Sequence, residues 1–225
     1  MKVLVTGATG FVGKKLVSQL INRGHKVSIL TRDTEIARKR LPMNCEFHKW
    51  EPELYPPSSQ AFDGVNAVVH LAGENIADGR WSESRKNKIK DSRVLSTRNL
   101  ISTLKSMKNP PDTFVSASAV GFYGKDKPVE LYEDLDPGKD FLAGVCREWE
   151  HEAFAARDHN IRTIALRIGI VLGYEGGAIK KMLPPFWAGV GGTLGDGNQW
   201  MSWIHIKDLV GMIIHSLENK RIQGA

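Results

Sequence analysis

The sequence predicts an α/β protein built on a doubly wound parallel sheet with helices on both faces. Three observations carry that prediction. Residues 2–13, Lys2-Val3-Leu4-Val5-Thr6-Gly7-Ala8-Thr9-Gly10-Phe11-Val12-Gly13, run from an apolar strand into a glycine turn. Directly after the glycines the period changes, with Val12, Leu16, Val17, Leu20 and Ile21 recurring at helical spacing. The same strand-then-helix alternation then repeats as far as residue 168, the pattern of parallel strands joined by crossover helices.

In the opening turn each glycine has a physical task. Gly7 permits the sharp exit from the strand, Gly10 removes a side chain where a diphosphate would approach the backbone, and Gly13 lets helix and strand pack closely. The N–H groups and dipole at the start of the helix favour phosphate. The alternative is a purely structural turn. Gly24 follows at the place where a helix end favours a left-handed residue.

Lys26-Val27-Ser28-Ile29-Leu30-Thr31 is the second strand, β-branched and alternating. A site specific for an unphosphorylated ribose usually carries Asp or Glu at this strand end. Here Arg32 stands there, with Asp33 one residue later. A guanidinium suits a 2′-phosphate, so NADP(H) is the expected cofactor, with NAD(H) as the alternative; an exposed cation without a ligand is the competing reading of Arg32. A third strand is expected over residues 45–50 and a turn-rich loop over 51–59. Residues 67–73 form a fourth strand, whose small Ala72 and Gly73 leave room for a ribose and diphosphate, while His70, inside the apolar run, is expected in the core.

Ser82 is a good N-cap for a long helix running toward Met107, stopped by Asn109-Pro110-Pro111. The fifth strand, residues 113–117, ends in Ser118-Ala119-Val120-Gly121-Phe122-Tyr123-Gly124, and the hydroxyls of Ser116 and Ser118 lie where polar groups of a substrate would be met. An acidic loop over 130–136 leads to a helix bearing Phe141, Leu142, Val145, Trp149 and Ala153, and residues 161–168 form the sixth strand. The tail changes texture. Residues 173–197 are glycine-rich, and an amphipathic helix ends near Glu218. Trp187, Trp200 and Trp203 either wall a substrate pocket or pack as a hydrophobic lobe.

The 225 residues suit one such domain, residues 1–172, with part of a small lobe over 173–225 interleaved with the last strands and helices. No apolar run reaches the roughly 20 residues that span a bilayer, and no secretory signal is read, so the expectation is cytoplasmic with no membrane partner. Cys45 and Cys146 lack metal or disulfide spacing, and no metal site is expected. The formal charge is +6, much of it in Arg80, Arg85, Lys86, Lys88, Lys90, Arg93, Arg98, Lys105 and Lys108. Without interleaved aromatics this segment reads as a solvated helix face rather than a nucleic-acid surface.

The segments TGATGFVG, VVHLAG, GENIADGRW with SRKNKIKDSR, SASAVGFYG, LRIGIVLG and WIHIKDL together resemble the extended short-chain dehydrogenase/reductase superfamily. The likeness lies in its NAD-dependent epimerase/dehydratase branch, within the "epimerase family protein" subgroup, some of whose members carry a cell-division-inhibitor label. It covers nearly the whole chain. It implies a Rossmann-type, NAD(P)-binding domain, a small C-terminal substrate lobe that continues past residue 225 in relatives, and a homodimer through the long helices after the fourth and fifth strands. It also implies roles: Gly7, Thr9, Gly10, Phe11, Val12 and Gly13 match the cofactor turn, and Leu71, Ala72 and Gly73 the cofactor-lining strand end. Ser118 matches the catalytic Ser/Thr, and Arg167, Gly169 and Val171 the strand end beside the nicotinamide ribose.

One departure stands out. The superfamily's catalytic Tyr, with a Lys four residues on, belongs at the start of the helix over residues 140–159, and residues 141–150 contain neither. Tyr123 and Arg147 are the two substitutes considered, Tyr123 as the acid/base. Two functions therefore compete. The first is an NADP(H)-dependent oxidoreductase or epimerase acting on a small polar or nucleotide-linked substrate. The second is a non-catalytic NADP(H)-binding protein that senses redox state.

Overall fold

The computed structural model describes residues 1–125, 130–193 and 195–225. Its elements in chain order are β1 (Lys2–Thr6), α1 (Phe11–Asn22), β2 (Lys26–Thr31), α2 (Thr34–Arg40), β3 (Glu46–Lys49), β4 (Ala67–His70), α3 (Glu83–Ser106), β5 (Thr113–Ala119), α4 (Phe141–Phe154), β6 (Arg162–Ile168), β7 (Ile170–Gly173), α5 (Gly177–Trp187), β8 (Trp203–His205) and α6 (Ile206–Glu218). The first six strands make one parallel sheet in the order β3-β2-β1-β4-β5-β6. The order reverses between β1 and β4, so a crevice opens beyond their carboxyl ends.

Burial on both sides explains why the strands read as continuous apolar runs. Val3 and Val5 face the layer of α1 and α6, packing with Leu16, Leu20, Leu209 and Ile213. Leu4, between them, faces the other layer with Leu100 and Leu104 of α3 and Ala153 of α4. Caps fix the helix starts. The Ser82 hydroxyl accepts from the Arg85 N–H, and the Asp140 carboxylate from the Ala143 N–H. Gly24 has φ +78° just after α1, as its position demands.

The tail supplies the main surprise. The glycine-rich stretch contains α5, which carries Pro184 and Pro185 inside it; their composition masks the helix in sequence. Strands β7 and β8 form a separate parallel pair. After them α6 returns to the core of the main sheet against α1.

Candidate functional site

At the β1–α1 turn, Gly7 has φ +67°, and a Cβ there would lie 2.6 Å from the Leu71 carbonyl. A Cβ on Gly13 would come 2.3 Å from the Gly7 carbonyl oxygen, so helix and turn touch backbone to backbone. Gly10 occupies the N-cap of α1 without any side-chain cap. The first N–H groups of the helix thus remain open to an anion. Thr6 fixes the opposite wall, its hydroxyl accepting from the N–H groups of Leu71 and Ala72 at 3.2 Å each. Thr6, Gly7, Thr9, Arg32, Ala72 and Gly73 line a cleft of about 120 Å³, with Trp50 and Pro52 across from them. Open backbone donors in a cradle that has no room for a Cβ fit a dinucleotide diphosphate.

His70 is fully buried and bonds to Thr6 (2.7 Å) and Thr97 (3.1 Å). Burial pulls its pKa down to about 3, so the ring is neutral. It is a core residue.

The Arg32 side chain is exposed, and no hydrogen bond or ion pair engages it among the described residues. Asp33 is spent: its carboxylate caps α2 by accepting from the Ile36 N–H at 2.8 Å. The acidic residue best placed by sequence to hold a ribose hydroxyl is therefore a helix cap.

Other expected cofactor residues act through packing. Phe11, Val12, Leu71 and Val171 pack against the α1/α6 core. A Cβ on Gly176 would sit 2.7 Å from the Phe11 ring, so α5 begins directly on the phosphate turn. A Cβ on Gly169 would lie 2.8 Å from the Ser202 carbonyl oxygen, and this close approach is what joins β6 to the β7–β8 pair. Ser116 is corrected. It is 1% exposed and donates to the Ala117 carbonyl at 2.9 Å, which removes it from the cleft surface.

A second cluster lies at the ends of β5 and β6. Ser118, buried, donates to Glu150 of α4 at 2.5 Å. Arg167 grips the same carboxylate with two parallel bonds of 3.0 Å, from Nε to Oε1 and from Nη2 to Oε2. Its Nη1 donates to the Tyr123 hydroxyl at 2.9 Å and to the Glu133 carbonyl at 2.8 Å, and its plane lies 3.5 Å from the Phe122 ring centre. Burial acts to lower the Arg167 pKa, but the bonds and charge of Glu150 and Tyr123 outweigh it and raise the value. The guanidinium is committed to this network, so its role in the site is electrostatic.

The helix expected to carry Tyr and Lys presents Phe141 and a buried Val145 instead. Arg147 is exposed on α4, which removes it as a substitute cation. Burial first, and then Glu150, push the Cys146 thiol up to about 11, so it is neutral as well. Sequence reasoning missed Glu150. The available signal was a carboxylate on the otherwise apolar stripe of Val145, Cys146, Trp149 and Ala153.

Tyr123 and Arg167 open onto a groove of about 740 Å³ that is also lined by Gly169, Trp200 and Trp203. Trp187 is 75% exposed and does not line it, so the expected three-tryptophan wall is reduced to two. The basic segment is largely paired within the chain: Arg85 with Glu74 (2.6 Å), Lys86 with Glu83 (2.7 Å), Lys90 with Glu148 (2.8 Å) and Arg98 with Glu152 (2.7 Å). Among the described residues no His, Cys, Asp and Glu side chains gather as a metal site, and no helix is long and apolar enough to cross a membrane.

With this geometry in view, comparison with known proteins is informative. The model of the NAD dependent epimerase/dehydratase family matches residues 3–224. The chain is 40% identical to the Arabidopsis thaliana "Epimerase family protein SDR39U1 homolog, chloroplastic", covering 100% of this chain and 64% of that protein. It is 37% identical to the epimerase family protein YfhF of Bacillus subtilis, covering 100% and 72% respectively. Among solved structures, human epimerase family protein SDR39U1 (isoform 2) with NADPH superposes with a TM-score of 0.85 at 34% identity, over 100% of this chain and 72% of that one. A nucleoside-diphosphate sugar epimerase from Corynebacterium glutamicum gives 0.82 at 37% identity, over 100% and 45%.

Proposed function

Because the chain belongs to the NAD dependent epimerase/dehydratase family, we propose that it is an NADP(H)-dependent oxidoreductase or epimerase acting on a small polar or nucleotide-linked substrate. The observation that carries the cofactor choice is the pair at the end of β2. Arg32 is unengaged and suited to a 2′-phosphate, while Asp33 is consumed as a helix cap. The human relative whose structure holds NADPH supports the same choice.

When bound, the nicotinamide supplies or accepts hydride. The protein's own part is to orient a hydroxyl or carbonyl and to handle its proton. Ser118 donates its proton to Glu150, which leaves its oxygen as an acceptor for a substrate hydroxyl. Tyr123 accepts from Arg167, which leaves its phenolic proton to be given toward the groove. One acceptor and one donor on the same wall suit the interconversion of an alcohol and a carbonyl. The proposal places the protein in the cytoplasm, where the free thiols of Cys45 and Cys146 stay reduced. It also includes a homodimer through α3 and α4, whose facing charges already pair as Lys90–Glu148 and Arg98–Glu152.

Titration of the purified protein with NADPH and NADH, followed by nicotinamide fluorescence, tests the reading. Micromolar NADPH binding with NADH at least about tenfold weaker, a gap of about 1.4 kcal/mol, is expected; binding of neither overturns it. Phe141 and Val145 favour the second reading, a non-catalytic NADP(H)-responsive protein. A screen of sugar nucleotides and small carbonyl compounds with NADPH separates the two.

A further inference from the structure

Arg93 of α3 is the unusual member of the basic segment. Four of its neighbours there hold carboxylates, whereas no ion pair engages Arg93 among the described residues. Its Nη1 donates to the Ile89 carbonyl (3.0 Å) and the Ser92 hydroxyl (3.4 Å), and its Nη2 to the Glu74 carbonyl (2.9 Å). A guanidinium has five N–H donors, so Nε–H and one Nη2–H remain. The side chain lies over the Trp149 ring, 5.3 Å from its centre, and is held partly buried between α3 and α4. Glu74, the acidic neighbour that acts on it from a distance, is already bonded to Arg85 at 2.6 Å. A half-buried cation without a counter-ion is costly unless something anionic or strongly polar meets it.

Its surroundings say where that partner arrives. The guanidinium carbon would be 3.3 Å from a Cβ on Gly73, so it presses on the strand end that lines the nucleotide cleft. Ser92, the preceding residue, and Glu74, to which Arg93 is bonded, also line that cleft. On its other side lies Cys146, one residue beyond the Val145 that stands where the family's Lys is absent. The cation has thus moved to the facing helix.

We propose that Arg93 binds the nicotinamide-side ribose phosphate of NADP(H), supplying from α3 the fixed positive charge that α4 lacks. The inference rests on the NADP(H) reading and fails separately from it. The test measures affinity by calorimetry for two probes, NADPH and 2′,5′-ADP, which has the adenosine half and no nicotinamide half. In Arg93→Met, NADPH binding weakens about tenfold or more while 2′,5′-ADP stays within about twofold. Arg93→Lys keeps the charge but loses the planar fork, and weakens NADPH selectively by a smaller factor; it carries the test if the methionine variant does not fold. Equal losses for both probes mean that Arg93 only props the 73–74 backbone, and unchanged affinities mean that it touches no ligand. Either result overturns the inference. A wild-type protein that binds neither probe removes the NADP(H) reading itself.

Discussion

Ser118 and Arg167 lie directly opposite each other in the register of β5 and β6, and both bond to the one carboxylate of Glu150. The strand pairing sets the spacing of the serine and the arginine, and α4 delivers the acid that joins them. A catalytic wall is built this way from three elements without the usual Tyr and Lys on α4.

Breaking that junction costs stability first. The side chains of Glu150 and Arg167 are only 6% and 10% exposed, so replacing Glu150 with Leu strands a buried guanidinium. The expected loss is about 3–5 kcal/mol in urea unfolding. Ser118→Ala leaves the ion pair intact and is expected to cost about 1–2 kcal/mol. Equal effects for the two variants would argue against Glu150 as the centre of the network.

Tyr123→Phe separates chemistry from binding. The phenol is the proton donor proposed here, and Arg167 keeps its bonds to Glu150 and Glu133 without it. Turnover with NADPH should fall about 100-fold or more, while NADPH affinity measured by fluorescence is unchanged. Retained turnover would assign the proton to another group.

Arg32→Ser addresses the 2′-phosphate. Arg32 has no structural bond to lose, so the melting temperature should not move. NADPH affinity is expected to drop about 10- to 100-fold with NADH affinity held constant. A parallel drop for both nucleotides would place Arg32 against the adenine rather than the phosphate.

His70 sets an acid limit. Its folded pKa of about 3 lies below the ordinary 6.5 because the ring is buried among Thr6, Ser96 and Thr97. Between those values the unfolded chain takes up a proton that the folded one refuses. Stability from the neutral ring is therefore fully present above pH 6.5 and is lost as pH falls toward 3, at up to about 1.4 kcal/mol per unit. Chemical unfolding at pH 7.5, 6, 5 and 4 should show this slope in wild type and a shallower one in His70→Gln.

Much of the architecture was legible from short-range pattern. The strand–turn–helix at residues 2–23, the Ser82 cap and the left-handed Gly24 each depend on residues within a turn or two of one another. The parallel sheet followed from apolar runs alternating with helical periods, because both faces of each strand are covered. Helix α5 was hidden because its glycine and proline content argues locally for a loop, whereas its first turn is held from afar by contact with Phe11.

By itself, the sequence determined the sheet, the phosphate turn, the cation after β2 and the absence of Tyr and Lys from α4, since each is a property of neighbouring residues. Tertiary structure alone decided which side chains complete the site. Glu150 meets Ser118 from 32 positions away, and Tyr123 meets Arg167 across 44. Ser116 and Arg147, equally plausible by type, are removed by burial in one case and exposure in the other. Strand register and helix packing make those choices, and both are settled by long-range burial that no local pattern encodes.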